Sequence, residues 1–97
     1  MQSTQEILAA IQGAKPYLAS TFKLQALGVF GSVIRGEQRD ESDIDVLVEF
    51  EPGADLLDLI GIGQYLEERL HARVDVVPRA ALRQEFRDQV LKEVRYL

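Results

Sequence analysis

The segment that most restricts how this chain can fold is DIDVLVEF, residues 43–50, where side chains alternate with a period of two. Successive side chains of a strand point to opposite sides, so this alternation predicts a β-strand with one apolar face. The apolar face carries Ile44, Val46, Val48 and Phe50. The other face carries Asp43, Asp45, Leu47 and Glu49. Residues 51–53, Glu-Pro-Gly, end the strand.

The residues before this strand predict a helix, a second strand and a tight turn. Ser3 and Glu6 have the spacing of a capping box, and an apolar stripe follows at helical intervals. Gly13 and Pro16 are expected to interrupt that helix. The apolar run QALGVF, residues 25–30, predicts a buried strand that ends at Gly31, and a short helix is expected over residues 33–36.

The residues after it predict a helix, a strand and a last helix. Asp55 is a capping residue for a helix that reaches about His71, and residues 73–77, RVDVV, read as a short strand. A final helix is expected over about 80–96. Its predicted packing residues are Leu82, Phe86, Val90, Val94 and Leu97. The 97 residues therefore predict one domain, 1–97, of the α/β or α+β class, with a small mixed sheet of three or more strands flanked by helices.

Composition excludes several classes of function. The chain has no cysteine and only one histidine, His71, which argues against disulfide scaffolds, zinc sites and a Ser-His-Asp triad. The net charge of −5 argues against direct nucleic-acid binding. No apolar stretch is long enough to span a membrane, and no signal peptide is visible, so the expected compartment is the reducing cytoplasm.

The negative charge is concentrated beside the Gly-Ser turn. Residues 37–58 hold nine acidic residues and one basic residue, Arg39. Gly31 lets another group approach the backbone, and Ser32 can donate to a phosphate. Ten residues later, Asp43 and Asp45 lie on one face of a strand, where they repel each other unless a cation neutralises them. Carboxylate oxygens suit Mg²⁺ or Mn²⁺, so this pattern predicts metal-assisted phosphoryl or nucleotidyl transfer.

Asp75 is the candidate for a third carboxylate. It is the only acidic residue of the predicted strand 73–77, between two valines that face the other way. If it points with Asp43 and Asp45, the three could hold two metal ions about 3.5–4 Å apart. Asp75 would then be a metal ligand and a candidate base for the attacking hydroxyl. The alternative is a charge that protects an edge strand from aggregation.

The run GSVIRGEQRDESDIDVLVEF, residues 31–50, resembles the signature of DNA-polymerase-β-like nucleotidyltransferases and, in particular, the minimal nucleotidyltransferase (MNT) family. The resemblance implies a polymerase-β-like fold, Mg²⁺, and transfer of AMP from ATP to a tyrosine of a HEPN-domain toxin, for which this chain would be the antitoxin. It also implies that Gly31 and Ser32 contact the triphosphate. Asp43 and Asp45 would be metal ligands, with Asp75 as the third carboxylate.

Two residue groups have open roles. Arg35 lies between the serine and the aspartates and could bind the triphosphate or a partner; the alternative is a surface ion pair with Glu37 or Glu41. The segment 56–60 is more apolar than one helix face requires, so part of it could bind a partner or another copy of the chain.

Three functions fit the sequence to different degrees. The leading hypothesis is a metal-dependent protein adenylyltransferase. The alternative is a catalytically silent binding module that neutralises its partner by steric occlusion. A transferase for a small molecule is disfavoured, because such enzymes normally carry an added acceptor domain and 97 residues leave no room for one.

Overall fold

Helices and strands alternate along the chain in a computed structural model that describes residues 2–39 and 42–97. The helices are α1 (Thr4–Phe22), α2 (Ser32–Arg35), α3 (Leu56–Leu70) and α4 (Gln84–Glu93). The strands are β1 (Leu24–Phe30), β2 (Ile44–Phe50), β3 (Val74–Pro78) and β4 (Arg95–Tyr96). Among the described helices, none has both the length and the hydrophobicity to cross a membrane.

The four strands form one mixed sheet in the order β3-β2-β1-β4. β1 pairs antiparallel with β2 and with β4, whereas β2 and β3 run parallel. Parallel neighbours need a crossover connection, and α3 supplies it. The predicted α+β class, with a small mixed sheet flanked by helices, is confirmed.

The main core lies between the sheet and the helices α1 and α3. Residues with no exposed surface include Ile11, Leu18, Leu27, Val29, Val46, Val48, Ile62 and Leu66. The two long helices contact each other closely at Gly61, where a side chain would overlap the ring of Phe22. Both helices begin at predicted capping residues. Ser3 and Glu6 form the predicted capping box, and Asp55, predicted as a cap alone, forms a second box with Asp58.

The opposite face of the sheet carries the acidic side chains and a smaller buried group. Leu47 has no exposed surface and Val90 of α4 is also buried, yet neither belongs to the main core cluster. The last helix therefore covers part of the face to which Asp45 points and leaves the rest open for a site.

The expected interruption of the first helix is wrong. α1 runs unbroken through Gly13 and Pro16. The proline removes the hydrogen bond to the carbonyl of Gln12, but Gln12 and Pro16 both lie on the exposed side, where water can satisfy that carbonyl. On the opposite side, Ala14 and Leu18 remain buried in the core and hold the helix in place.

The predicted bounds of the last helix are also wrong. Residues 79–81 form a 3₁₀ turn, Leu82 and Arg83 are extended, and α4 begins only at Gln84. At its other end Val94 is extended, and residues 95–96 pair with Gly28 and Val29 of β1. A side chain on Gly28 would overlap Val94, so this glycine makes room for the returning chain. Pairing with the free edge of β1 satisfies backbone groups that a longer helix would have left open.

The predicted burial of Phe86 is not observed, because 51% of its surface is exposed, whereas Val90 one turn later is buried. Leu82 and Val94 are only partly buried. α4 is short, and the β4 residues that follow it are paired with β1. In the resulting orientation of the helix, Val90 is buried and Phe86 remains half exposed.

We therefore expect Phe86→Ala to lower the free energy of unfolding by less than about 1 kcal/mol. Leu66→Ala, a truncation inside the main core, should cost about 2–5 kcal/mol, since Leu66 is completely buried. Urea unfolding followed by circular dichroism measures both variants. Equal losses would contradict the exposed position of Phe86.

Candidate active site

Strand register brings two of the predicted carboxylates together. Asp45 of β2 lies directly opposite Asp75 of β3, and opposite Phe30 of β1 on the other side. Residues in register on neighbouring strands point to the same face, so both carboxylates project on the side that α4 only partly covers. Gly31 follows Phe30 at once, which brings the Gly-Ser turn to the same place.

Gly31 can be nothing but glycine in this arrangement. Its φ of 79° and ψ of −150° lie in a region that side chains with a Cβ avoid. A Cβ at this position would also overlap the carboxylate of Asp45. From the sequence, Gly31 was expected to let a ligand approach the backbone closely. In the structure, the group that lies close to the Gly31 backbone is the carboxylate of Asp45.

A cavity of about 320 Å³ lies over these groups, and we call it the carboxylate cavity. Its lining combines the end of β1, the paired aspartates, the α2 arginine and one side of α4: Phe30, Gly31, Arg35, Asp45, Asp75, Val77, Leu82, Phe86, Gln89, Val90 and Glu93. One part of the wall is apolar, and the other part is polar and mostly charged. Such a cavity can receive a ligand that has both a charged and an apolar part.

The electrostatics of the cavity centre on Asp45. Burial raises its pKa, and the negative charges of Asp75, Asp43 and Glu93 raise it further, while Arg35 lowers it. The net result is a pKa of about 6, compared with an ordinary value of 3.8. The site thus carries more negative charge than it can easily hold, which is the condition that favours a bound cation.

Asp43 does not line the carboxylate cavity. It precedes β2 and its Oδ1 lies 3.1 Å from Nε of Arg73, in an ion pair that is exposed on both sides. Asp43 instead lines a neighbouring cavity of about 490 Å³. Exposed pairs contribute only about 0–1 kcal/mol, so a competing cation could draw Asp43 towards Asp45 at little cost.

Arg35 makes the predicted surface ion pair with Glu37 and a second ion pair, with Glu93, that was not predicted. Its Nε lies 2.8 Å from Oε1 of Glu37, as the surface-pair reading expects, while Glu41 lies outside the described residues. Its Nη1 lies 2.8 Å from Oε1 of Glu93, inside the lining of the carboxylate cavity. Both carboxylates raise the pKa of Arg35, and the largest effect comes from the hydrogen bond that Arg35 donates to Glu37. Ser32, the other predicted phosphate contact, is the first residue of α2 and is partly exposed.

Glu93 is the site residue that the sequence interpretation missed. It belongs to α4, and its Oε2 accepts a hydrogen bond of 2.7 Å from the backbone amide of Gly31. Burial acts to raise the pKa of Glu93, but the hydrogen bonds from Arg35 and Gly31 outweigh burial and hold it below the ordinary value. The only available signal was an acidic residue at the end of a helix, which is more often a solvated side chain.

The donor set fits a divalent cation in its chemistry. Asp45 and Asp75 offer hard oxygen ligands on one face, and burial, followed by the charges of Asp75 and Asp43, raises the pKa of Asp45. Within residues 2–39 and 42–97, however, no group of three or more potential ligands is already gathered closely enough to hold a metal. Asp43 must therefore move if it is to join the other two.

Residues 11–97 match the sequence profile of the nucleotidyltransferase domain family. The chain belongs to this family. Members of the nucleotidyltransferase family generally use divalent metal ions. The predicted enzyme class of this nucleotidyltransferase is thereby confirmed.

Relatives of known name agree with the family. The nucleotidyltransferase is 39% identical to protein adenylyltransferase MntA of Thermococcus cleftensis, over all of this chain and 98% of that protein. It also resembles a solved structure described as a minimal nucleotidyltransferase, with 41% identity, a TM-score of 0.84 and coverage of 99% and 97% of the two chains. A crystal structure of a toxin-antitoxin with AMP-PNP matches at 26% identity and a TM-score of 0.71, over 88% of this chain and 70% of that one. The predicted membership of the minimal nucleotidyltransferases is confirmed.

Replacing Gly31 should be more costly than replacing a second glycine with positive φ. Gly31→Ala forces Ala into a strained region and against Asp45, so we expect a loss of more than about 2 kcal/mol of stability. Gly36→Ala is the matched control, because Gly36 has a φ of 72° but open space around its missing Cβ. It should cost about 1 kcal/mol. Urea unfolding compares the two, and equal losses would argue against the contact with Asp45.

Asp45→Asn should stabilise the fold at neutral pH in buffer without metal ions. The folded pKa of about 6 lies above the ordinary value of 3.8, so the wild-type fold loses stability as pH rises through this range, whereas Asn does not titrate. The thermal midpoint of the variant should therefore exceed that of wild type at pH 8 and approach it at pH 4. Glu51→Gln, at the other end of β2, is the control. A difference that does not depend on pH would contradict the raised pKa.

Proposed function

We propose that this nucleotidyltransferase transfers AMP from ATP to a hydroxyl group of a partner protein, with Mg²⁺ as the divalent cation, and so acts as an antitoxin. The family resemblance suggests a HEPN-type toxin as the partner and a tyrosine as the acceptor. The observation that carries the proposal is the pairing of Asp45 with Asp75 beside the Gly31 turn and Arg35, in one cavity.

Binding of the triphosphate is assigned to the turn and to Arg35. Gly31 directly precedes α2 and Ser32 is its first residue, so the Ser32 hydroxyl is a candidate donor to the triphosphate. Among the described residues that line the carboxylate cavity, Arg35 is the only basic one. Its guanidinium can exchange one of its two carboxylate partners for phosphate oxygens, which present a similar geometry.

The carboxylates are assigned to metal binding and to proton transfer. Asp45 and Asp75 would hold the cation together with Asp43, once Asp43 has left its exposed partner Arg73. A bound divalent cation neutralises charge on the phosphates and lowers the pKa of an attacking hydroxyl. Two ions are expected from the number of carboxylates, and Mn²⁺ could replace Mg²⁺ because its ligand preferences are similar.

The reaction itself is a substitution at the α-phosphorus of ATP. The acceptor oxygen forms a bond to that phosphorus while the bond to the bridging oxygen of the β-phosphate breaks, so that pyrophosphate leaves. The acceptor proton passes to a carboxylate, for which Asp75 is the candidate because it is exposed at the edge strand β3. Most of the acceleration in such reactions comes from positioning and charge stabilisation.

A protein acceptor agrees with the shape of the site. Phe86 stands half exposed on one wall of the carboxylate cavity, and Leu82 and Val90 complete an apolar side. These residues offer a contact surface for the flat base of the nucleotide or for an aromatic acceptor. The relative named MntA is a protein adenylyltransferase, and a structural neighbour comes from a toxin-antitoxin with AMP-PNP. These two similarities support ATP and a toxin as the two substrates.

Asp43→Asn combined with Asp45→Asn should abolish transfer while the fold is retained. Asn keeps the volume of Asp but not its charge, so we expect a loss of several orders of magnitude in rate. The measurement is label transfer from ATP, labelled at the α-phosphate, to the toxin, with Mg²⁺ or with EDTA. Circular dichroism of both forms is the control for folding.

The same experiment decides between the enzyme and the binding module. Label on the toxin with wild type but not with the double variant supports the enzyme. If wild type transfers no label, and both forms inhibit the toxin equally, steric occlusion replaces catalysis as the function. Mass spectrometry of the labelled toxin identifies the acceptor residue.

A further inference from the structure

The end of the last helix is fastened to the Gly-Ser turn by one side chain. The two carboxylate oxygens of Glu93 have different partners: Oε2 accepts from the amide of Gly31 at 2.7 Å, and Oε1 accepts from Nη1 of Arg35 at 2.8 Å. Only 14% of the Glu93 side chain is exposed. The carboxylate of Glu93 thus joins Gly31, the first residue of the Gly-Ser turn, to Arg35 of the short helix that follows.

The contact to Gly31 satisfies a donor that would otherwise be buried without a partner. Gly31 is buried, and its unusual backbone angles leave its amide pointing towards α4 and away from the helix that follows. A buried amide without an acceptor costs as much as a lost hydrogen bond or more. The conformation of the turn therefore depends on an acceptor from a distant part of the chain.

The contact to Arg35 restricts a flexible side chain. The guanidinium lies between Glu93 on one side and Glu37 on the other. The two carboxylates are not equivalent, since the side chain of Glu37 is 63% exposed and that of Glu93 only 14%. Glu37 also lies two residues along the same segment, whereas Glu93 holds Arg35 from another element of the fold.

Glu93 itself is held firmly. The next amide, that of Val94, donates to Val90 at 2.8 Å, and the chain then pairs with β1 as β4. Val90 of the same helix is buried. The carboxylate therefore projects from a fixed support beside Asp45, whose pKa its charge also affects.

We infer that Glu93 is a positioning residue for nucleotide binding, which holds the Gly31-Ser32 turn and the Arg35 guanidinium in the geometry that receives the triphosphate. The inference rests on the proposed function. If Glu93 instead competed with the triphosphate for Arg35, replacing Glu93 would strengthen ATP binding rather than weaken it. The contact to the Gly31 amide favours positioning, because it ties Glu93 to the turn through an oxygen that does not contact Arg35.

The first test is ATP affinity by calorimetry with Mg²⁺. Glu93→Gln removes the ion pair and one acceptor, and we expect ATP to bind about tenfold more weakly, as the loss of a charge-assisted hydrogen bond predicts. Glu37→Gln is the matched control: it removes the same charge from the same arginine but has no contact with Gly31. It should change the affinity by less than about threefold.

The second test reads the contact directly, without activity. The amide proton of Gly31, hydrogen-bonded to a carboxylate, should resonate at low field in the ¹H–¹⁵N spectrum of wild type. It should move upfield in Glu93→Gln and stay in place in Glu37→Gln. Glu93→Asp keeps the charge but is one methylene shorter, so it should also weaken ATP binding and provides a second variant if the first folds poorly.

A double-mutant cycle with Arg35→Gln shows whether Glu93 acts through Arg35. If it does, Glu93→Gln should weaken ATP binding less in the Arg35→Gln background than in wild type. Tighter ATP binding by Glu93→Gln, or equal effects of Glu93→Gln and Glu37→Gln, would overturn the positioning role alone. Failure of wild type to bind ATP would instead overturn the proposed function.

Discussion

The close pairing of Asp45 with Asp75 is the constraint on which the rest of the site depends. Two carboxylates in register on parallel strands repel each other, and the repulsion grows as burial removes water from Asp45. Gly31 adds its backbone to the same spot because it has no Cβ to collide with Asp45. A fold that accepts this concentration of charge keeps a place that a cation can stabilise.

The neighbouring groups are arranged around this charge. The positive charge of Arg35 partly offsets the negative charge around Asp45. Arg35 is itself held by two carboxylates, those of Glu37 and Glu93. Glu93 ties the turn to α4, while Asp43 stays at the rim with Arg73. On the charged side of the site, each group thus limits the position of the next. The apolar side comes from Phe86 and Val90 of α4, from Leu82 just before it, and from Phe30 and Val77 of the sheet.

Features encoded by short stretches of sequence were predicted well. The capping box at Ser3, the cap at Asp55, the alternation in β2 and the turn after β1 depend on residues only a few positions apart. A third carboxylate on a neighbouring strand was also expected, and Asp75 was its candidate. That Asp75 lies directly opposite Asp45 depends on the register of β2 and β3, which the sequence did not predict. Pro16 failed as a break because burial of Ala14 and Leu18 outweighs a local preference.

Features that depend on distant partners could not be predicted in the same way. The last helix stops at Glu93 because the following residues pair with the edge of β1, and no local signal marks that edge. The exposure of Phe86 follows from the same early stop. The role of Glu93 requires the amide of Gly31 as its partner, and the turn of Asp43 towards Arg73 requires knowledge of where the next strand begins.

The topology of the sheet also bears on the order in which the molecule folds. β1 and β2 are neighbours in sequence, so Gly31 and Asp45 can meet early, in an antiparallel pair. Asp75 arrives only after α3 has crossed over to form the parallel pair, and contacts across such long loops form slowly because chain entropy opposes them. We therefore expect β1 and β2 to pair before Asp75 comes to lie opposite Asp45. A nascent chain would then pass through a stage in which the Gly31-Ser32 turn already lies beside Asp45 but Asp75 has not yet joined them.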